Sequence, residues 1–222
     1  MYELGLITPV KMSVRRGALI ILEGVDRSGK STQCRKLVKT LQEQGEKVHL
    51  MRFPDRTTKI GKVINEYLSQ KCELEDHAIH LLFSANRWEA LPKIKELIHS
   101  GTTVVIDRYA YSGVAFTAAK PGFQIDWCKI CDSGLPRPDL VLFLKISIED
   151  AANRAGFGGE RYEKTDFQAE VSKNYELLRD NDWRTVEAGR SIEEVHEDIK
   201  QLTMKAMAAC ANQPLGKLWT TL

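Results

Sequence analysis

Gly24-Val-Asp-Arg-Ser-Gly29-Lys30-Ser31 constrains this chain more than any other segment, because it fills the pattern G-x-x-x-x-G-K-[ST] at every fixed position. A chance match inside a glycine-containing turn is the competing reading, and the flanking sequence argues against it. The aliphatic run from Ala18 to Leu22 reads as a buried strand, and Lys30 to Gln44 carries Leu37, Val38 and Leu41 at helical spacing before Gly45 stops it. A strand feeding a glycine-rich turn and then a helix N-terminus points backbone N–H groups at an anion. Lys30 would neutralise the β- and γ-phosphates of a nucleotide, and Ser31 would offer its hydroxyl to Mg²⁺, a hard ion that prefers oxygen.

The rest of the chain alternates in the same manner. Val48–Phe53 is the next strand candidate, halted by Pro54, Thr102–Ile106 and Leu140–Ile146 are short apolar runs of buried parallel-strand type, and Arg184–Ala188 is a weaker last strand. Helical spacing runs from Glu75 to Ser100, with Leu81, Leu82, Ala85, Trp88 and Leu91 forming one apolar face and Pro92 expected to kink or divide the helix. Further helical patterns occupy Ile148–Arg154, Asp166–Leu178 and Ile192–Cys210. This predicts an α/β fold: one doubly wound domain whose parallel sheet is flanked by helices on both faces. At 222 residues the length suits a single domain, with residues 1–11 read as a separable N-terminal extension before Met12 and residues 12–222 as the folded unit.

Composition excludes several classes. Lys and Arg exceed Asp and Glu by only two, which is too balanced for a surface that grips a nucleic acid backbone. No apolar run approaches the ~20 residues of a membrane helix. The five cysteines are sparse and odd in number, which suits a reduced cytoplasmic setting, with nuclear or mitochondrial placement as the alternatives. Cys128-Lys-Ile-Cys131 has motif-like spacing but no second pair, so packing on a helix is preferred to a metal or redox role.

Asp107 follows the third strand signal, where the carboxyl end of a buried parallel strand faces a ligand crevice, and it is the expected second Mg²⁺ contact. A plain helix cap is the alternative. Arg108 next to it could span two phosphates with its planar fork. No N-K-x-D guanine signature is present. Three clusters join arginine to aromatic rings, namely Phe53-Pro-Asp-Arg56, Phe83-Ser-Ala-Asn-Arg87-Trp88 and Asp107-Arg-Tyr-Ala-Tyr-Ser-Gly-Val-Ala-Phe116. A nucleotide acceptor needs both, a ring for its base and a cation for its phosphate. Phe83 and Arg87 stand four apart, on one helix face, although a core Phe83 and Trp88 with a solvated Arg87 would explain the same residues.

Taken together, Leu22 to Thr32, Arg52-Phe-Pro-Asp-Arg56, Leu82 to Glu89 and Asp107 to Phe116 resemble the eukaryotic and poxviral form of the thymidylate kinase family, over about residues 12–219 and through to Pro214-Leu-Gly-Lys-Leu-Trp219. The resemblance implies a five-stranded P-loop kinase that transfers the γ-phosphoryl group of ATP to dTMP, with Mg²⁺ and as a homodimer whose interface includes Phe83–Leu91. It implies that Phe83 stacks on thymine, Arg87 reads its carbonyl edge, and Pro54 and Leu68 shape the space beside the 5-methyl group, with Phe53 and Gly113 also lining the pocket. It implies that Arg56 and Arg108 hold the acceptor phosphate, Asp26 the 3′-hydroxyl, and Phe116 and Tyr162 the sugar side. ATP would meet Gly24, Val25, Asp26, Arg27, Ser28, Gly29, Lys30, Ser31 and Thr32, with Arg154 near adenine. A lid is expected at about 153–163, and Arg27 in the phosphate loop, with Asp26, Lys30 and Arg108, is expected to carry the chemistry. A pair of solvated loop charges is the competing reading of Arg154 and Arg161. A different small nucleoside or nucleotide kinase, or a catalytically silent nucleotide-binding protein, are the alternatives.

Overall fold

The computed structural model describes residues 15–154 and 158–220. The proposed extension at residues 1–11 and the lid residues Ala155, Gly156 and Phe157 lie outside these. The elements run β1 (Leu19–Glu23), α1 (Lys30–Glu43), β2 (Val48–Arg52), α2 (Lys59–Leu68), α3 (Asp76–His99), β3 (Thr103–Asp107), α4 (Ala110–Ala118), α5 (Ile125–Ile130), β4 (Leu140–Lys145), α6 (Ile148–Ala152), α7 (Thr165–Leu178), β5 (Trp183–Glu187) and α8 (Ile192–Cys210). The sheet has five strands in the order β2-β3-β1-β4-β5, every neighbour parallel. All five expected strands are present.

The two faces of the sheet follow from the period of two along a strand. Leu19 and Ile21 of β1 join Val104, Ile106, Val141 and Phe143 against Ile94, Ile98, Val114 and Tyr175 of the helices on one side. Ile20 and Leu22 join Val105, Leu142 and Leu144 against Leu37, Leu41, Val195 and Ile199 on the other. Both faces being covered, β1 is fully buried, which is why it reads as an unbroken aliphatic run. A smaller cluster of Ile64, Tyr67, Leu68 and Ile79 ties α2 to the start of α3 beside the mouth of the sheet.

Two expectations about α3 need correction. Pro92 does not divide the helix, which runs from Asp76 to His99 with the proline inside it. Its buried positions include His80, Ser84, Asn86 and Arg87, whereas Leu81, the first residue of the expected apolar face, is 51% exposed and Leu82, Ala85, Trp88 and Leu91 are half-buried. The polar face turns inward because partners await it. His80 meets Thr117, Ser84 donates to Asp132, and Asn86 engages the backbone of Asp55, so no buried polar group goes unpaired there.

The outgoing connections of β1 and β3 run to opposite sides of the sheet, which opens a crevice beyond their carboxyl ends. No helix among the described residues is long and apolar enough to cross a membrane.

Candidate active site

The phosphate loop leaves β1 at Glu23 and turns at Gly24, whose φ of 142° and 2.7 Å approach of a hypothetical Cβ to the Leu144 carbonyl oxygen admit only glycine. Arg27 adopts φ 61°, an uncommon conformation for a side-chain-bearing residue. α1 then starts at Lys30 with no side-chain hydrogen bond from its N-cap Gly29, as also at the starts of α4, α5 and α7, whereas α2, α3, α6 and α8 are capped by Thr58, Glu75, Ser147 and Ser191. An uncapped first turn leaves N–H groups available to an anion. Residues 26–32 and Arg154 line a cavity of about 790 Å³, while Gly24 and the buried Val25 shape the loop from behind without lining it.

Lys30 folds back on this loop, donating from Nζ to the Val25 carbonyl at 2.6 Å and to Ser28 Oγ at 3.1 Å. Burial, then the charge of Arg108, pulls its ammonium down to about 7 against the opposing pull of Asp26, Asp107 and Glu23. Arg154 bridges the Arg27 carbonyl and the Ala188 carbonyl, both at 2.8 Å, and so joins the phosphate loop to the connection after β5. It is not a loosely solvated loop charge.

Ser31 Oγ donates to Asp107 Oδ2 at 2.5 Å. Asp107 closes β3 and is 3% exposed. Burial would raise its pKa, but Lys30, the Ser31 hydroxyl, Arg108 and Arg52 together hold it below the usual carboxylate value. The helix-cap alternative does not describe it. The residue before α4 is Tyr109, and it is Glu23 that accepts from the N–H groups of Tyr109 and Ser112. A hydroxyl and a carboxylate oxygen in contact form the hard-oxygen pair that suits a small divalent cation. Arg52, at the end of β2, covers the same pair, with Nε 3.1 Å from Asp107 Oδ2 and Nη2 on Ser31 Oγ.

Arg108, also at positive φ, donates to Asp26 Oδ1 at 2.6 Å and to the Gly24 carbonyl and Ser112 Oγ at 3.1 Å. Behind it, fully buried Glu23 accepts from Ser112 Oγ at 2.5 Å and Tyr175 OH at 3.0 Å. Gln168 completes the frame by bonding both the backbone N–H and the carboxylate of Asp26.

A narrower aromatic chamber opens from the same cleft, walled by Phe53, Pro54, Leu68, Phe83, Phe116 and Tyr162, with Arg87 and Gly113 behind. Phe83 and Arg87 do share one face of α3. Arg87 is 2% exposed, so its reading as a solvated charge fails; Asp132 grips it through two bonds of 3.0 and 2.6 Å. Burial opposes its charge, and Asp132 more than restores it. Gly113 belongs here for space: a Cβ would stand 2.7 Å from Arg87 Nη2.

Beyond Asn153 and Arg154, the described part of the expected lid, 158–163, is tied down at both ends. Glu163 accepts from Arg27 Nε at 2.9 Å and from the N–H groups of Gly159 and Glu160. Arg161 pairs with Glu73 at 2.7 Å and lies 4.1 Å over the ring of Tyr67, so it too is anchored rather than merely solvated. Arg56 reaches Glu160 at 2.8 Å. Asp132, Glu163, Gln168, Glu23 and Arg52 were not singled out from sequence. Arg52 sits inside a quoted motif, and Glu23 is a charge abutting a buried strand, but nothing local marks Asp132.

The thymidylate kinase family model matches residues 22–199. A thymidylate kinase of Danio rerio is 55% identical over 211 residues, covering 94% of this chain and all of that protein, and one of Homo sapiens matches to the same extent. The solved structure of a Candida albicans thymidylate kinase superposes with a TM-score of 0.83 at 39% identity, over 91% of this chain and 98% of that one.

Proposed function

The chain belongs to the thymidylate kinase family, and from that premise we propose a division of labour in its cleft: the wide basic cavity takes ATP and the aromatic chamber takes dTMP. The reaction transfers the γ-phosphoryl group of ATP to dTMP, giving dTDP. The observation that carries the division is that the two spaces share Asp26, Arg56 and Arg108, so donor and acceptor phosphates would meet at a pair of arginines.

A dTMP phosphate oxygen attacks the γ-phosphorus in line as the bond to the bridging β-oxygen breaks. That oxygen is already ionised near neutral pH, so the protein's task is positioning and charge stabilisation. Phe83 stacks on thymine and Arg87, held rigid by Asp132, reads its edge. Arg56 and Arg108 hold the acceptor phosphate, Asp26 takes the sugar 3′-hydroxyl, and Phe116 and Tyr162 close the sugar side. Lys30 exchanges its loop carbonyl for the β/γ-phosphates, and Arg27 stabilises charge on the group in flight. Ser31 and Asp107, being hard oxygen donors, fit Mg²⁺ and would hold it; when bound it neutralises phosphate charge. The segment 153–163 acts as the lid over the kinase domain 12–222, excluding water that would compete for the phosphoryl group.

We further infer a homodimer. The half-buried apolar stripe of α3, with Leu81 51% exposed, adjoins α5 through the Trp88 and His80 contacts to Cys131 and Cys128, and Ile130 of α5 is 59% exposed. The five free thiols suit a reduced cytoplasmic setting. The test of the site reading is ADP release with Mg-ATP against dTMP, dUMP, dCMP, AMP and thymidine, in wild type and Arg87→Ala. The variant should lose preference for dTMP over dCMP, and an unchanged preference would refute the base-reading role.

A further inference from the structure

We propose that Arg52 guards the metal position: its guanidinium holds the Ser31–Asp107 oxygen pair until a metal–nucleotide complex displaces it, so the enzyme takes up the divalent cation with nucleotide and not alone. This rests on the reading of Ser31 and Asp107 as the metal-holding pair. The placement is written into the sheet. Arg52 and Asp107 are register partners in the parallel β2–β3 ladder, and paired positions project to the same face, so a long side chain at 52 lies beside the carboxylate at 107.

The contacts make the competition direct. One guanidinium donates to Asp107 Oδ2 at 3.1 Å and to Ser31 Oγ, and a divalent cation needs those same two oxygens. A cation and a guanidinium cannot both occupy them, because like charges at contact distance repel. The two partners also differ in freedom. Asp107's side chain is 5% exposed and needs a counter-charge at all times, whereas Arg52's is 60% exposed and can swing away on its long stem. On release it stays within the cavity it already lines, alongside Lys30, Arg56 and Arg108. A phosphate chain arriving with the cation supplies new partners for the displaced guanidinium, and a bare cation supplies none. Nucleotide and metal uptake therefore become coupled, and the coupling is reciprocal.

The test is Mn²⁺ binding to the full-length enzyme followed by electron paramagnetic resonance, with and without ADP. Without nucleotide, Arg52→Gln and Arg52→Met should bind Mn²⁺ about tenfold more tightly than wild type, the modest size reflecting how exposed the displaced charge is. Arg52→Lys should fall between. With ADP the gap between wild type and variants should shrink to about twofold. Unchanged or weaker nucleotide-free affinity in both Arg52→Gln and Arg52→Met overturns the inference. Asp107→Asn separates this from failure of its premise. If Asp107→Asn leaves Mn²⁺ binding in the presence of ADP untouched, the metal-holding pair itself is misassigned. If it weakens that binding while the Arg52 variants stay silent, only the guarding role falls.

Discussion

Asp132→Asn is the most exacting test of how the acceptor chamber is built. Arg87 and Asp132 have side chains 2% and 0% exposed, joined by Nε to Oδ1 at 3.0 Å and Nη2 to Oδ2 at 2.6 Å, and Ser84 Oγ also donates to Oδ1 at 2.8 Å. Asparagine keeps the volume and one acceptor, so Ser84 and Nε retain a partner. It sets an NH₂ against Nη2 and leaves the guanidinium charge without a counter-ion in a site closed to water. Breaking a buried pair from one side costs about 3–5 kcal/mol. In a chain of this size each kcal/mol moves the midpoint by roughly 2–4 °C, so thermal unfolding should fall by roughly 6–20 °C. Urea unfolding at pH 7 measures the free energy directly, and KM for dTMP should rise about tenfold because Arg87 loses its fixed orientation. The double variant Arg87→Met, Asp132→Asn removes both charges and should be more stable than Asp132→Asn alone while binding dTMP no better. A loss below about 1 kcal/mol, or a double variant no more stable than the single one, refutes the argument that this pair is a buried, mutually dependent ion pair.

Arg27→Ala should lower kcat by roughly 10³-fold while the dTMP dissociation constant moves by less than about twofold, the pattern of a contact made in the transition state; equal losses in both would contradict it. Gly113→Ala places a Cβ 2.7 Å from Arg87 Nη2, so KM for dTMP should rise about tenfold despite alanine's better helix propensity, and steady-state kinetics with an unchanged KM would show the wall to be pliable. His80 is buried between Thr117 Oγ1 and the Cys128 carbonyl, and burial, followed by Arg87's charge, lowers its pKa below 6.5. The unfolded chain then binds this proton first, so stability held above pH 6.5 is lost as pH falls toward the depressed value. His80→Asn should flatten the slope of urea stability between about pH 7 and pH 5, and parallel slopes in the two proteins would count against it.

The fold was readable wherever one physical signal dominated. β1, β3 and β4 announced themselves because buried parallel strands leave little room for charge. The edge strands β2 and β5 gave weaker signals because they are partly exposed and carry Arg52, Arg184 and Glu187, and α1 and α8 each have one clear apolar stripe. α4 gave no stripe: Ala110, Tyr111, Ser112, Gly113, Val114, Ala115 and Thr117 are all buried, so its sequence shows no period. α5, of six residues, is too short to show one. α3 misled because its deepest positions are polar, His80, Ser84, Asn86 and Arg87, while the apolar stripe is only half-buried and exposed at Leu81. The site divides in the same way. Residues that carry chemistry through a fixed spacing, such as Lys30, Ser31 and the Phe83–Arg87 pair, were visible in sequence. Asp132 and Glu163 hold their arginines across long stretches of chain, Arg87 being 45 positions away and Arg27 136, and no local pattern records such a pairing.

These partnerships explain how a chain with a net charge of only +2 assembles so cationic a cleft. Arg27 faces Glu163, Arg52 faces Asp107, Arg56 faces Glu160, Arg108 faces Asp26 and Arg87 faces Asp132. The pairs are not equivalent, and exposure separates them. In the first four, the arginine side chains are 36, 60, 39 and 17% exposed against 2% for Arg87, so an incoming phosphate can reach each guanidinium, while Glu163 and Asp107, 7 and 5% exposed, must find a replacement partner when theirs leaves. Arg87 and Asp132 admit no water, and opening them would strand a charge. The phosphate-binding half of the cleft is therefore assembled by exchange of partners, and the base-reading half is built before the nucleotide arrives. Added salt should accordingly weaken ATP binding steeply while changing the preference among pyrimidine bases little, because screening reaches the exchangeable pairs and not the buried one.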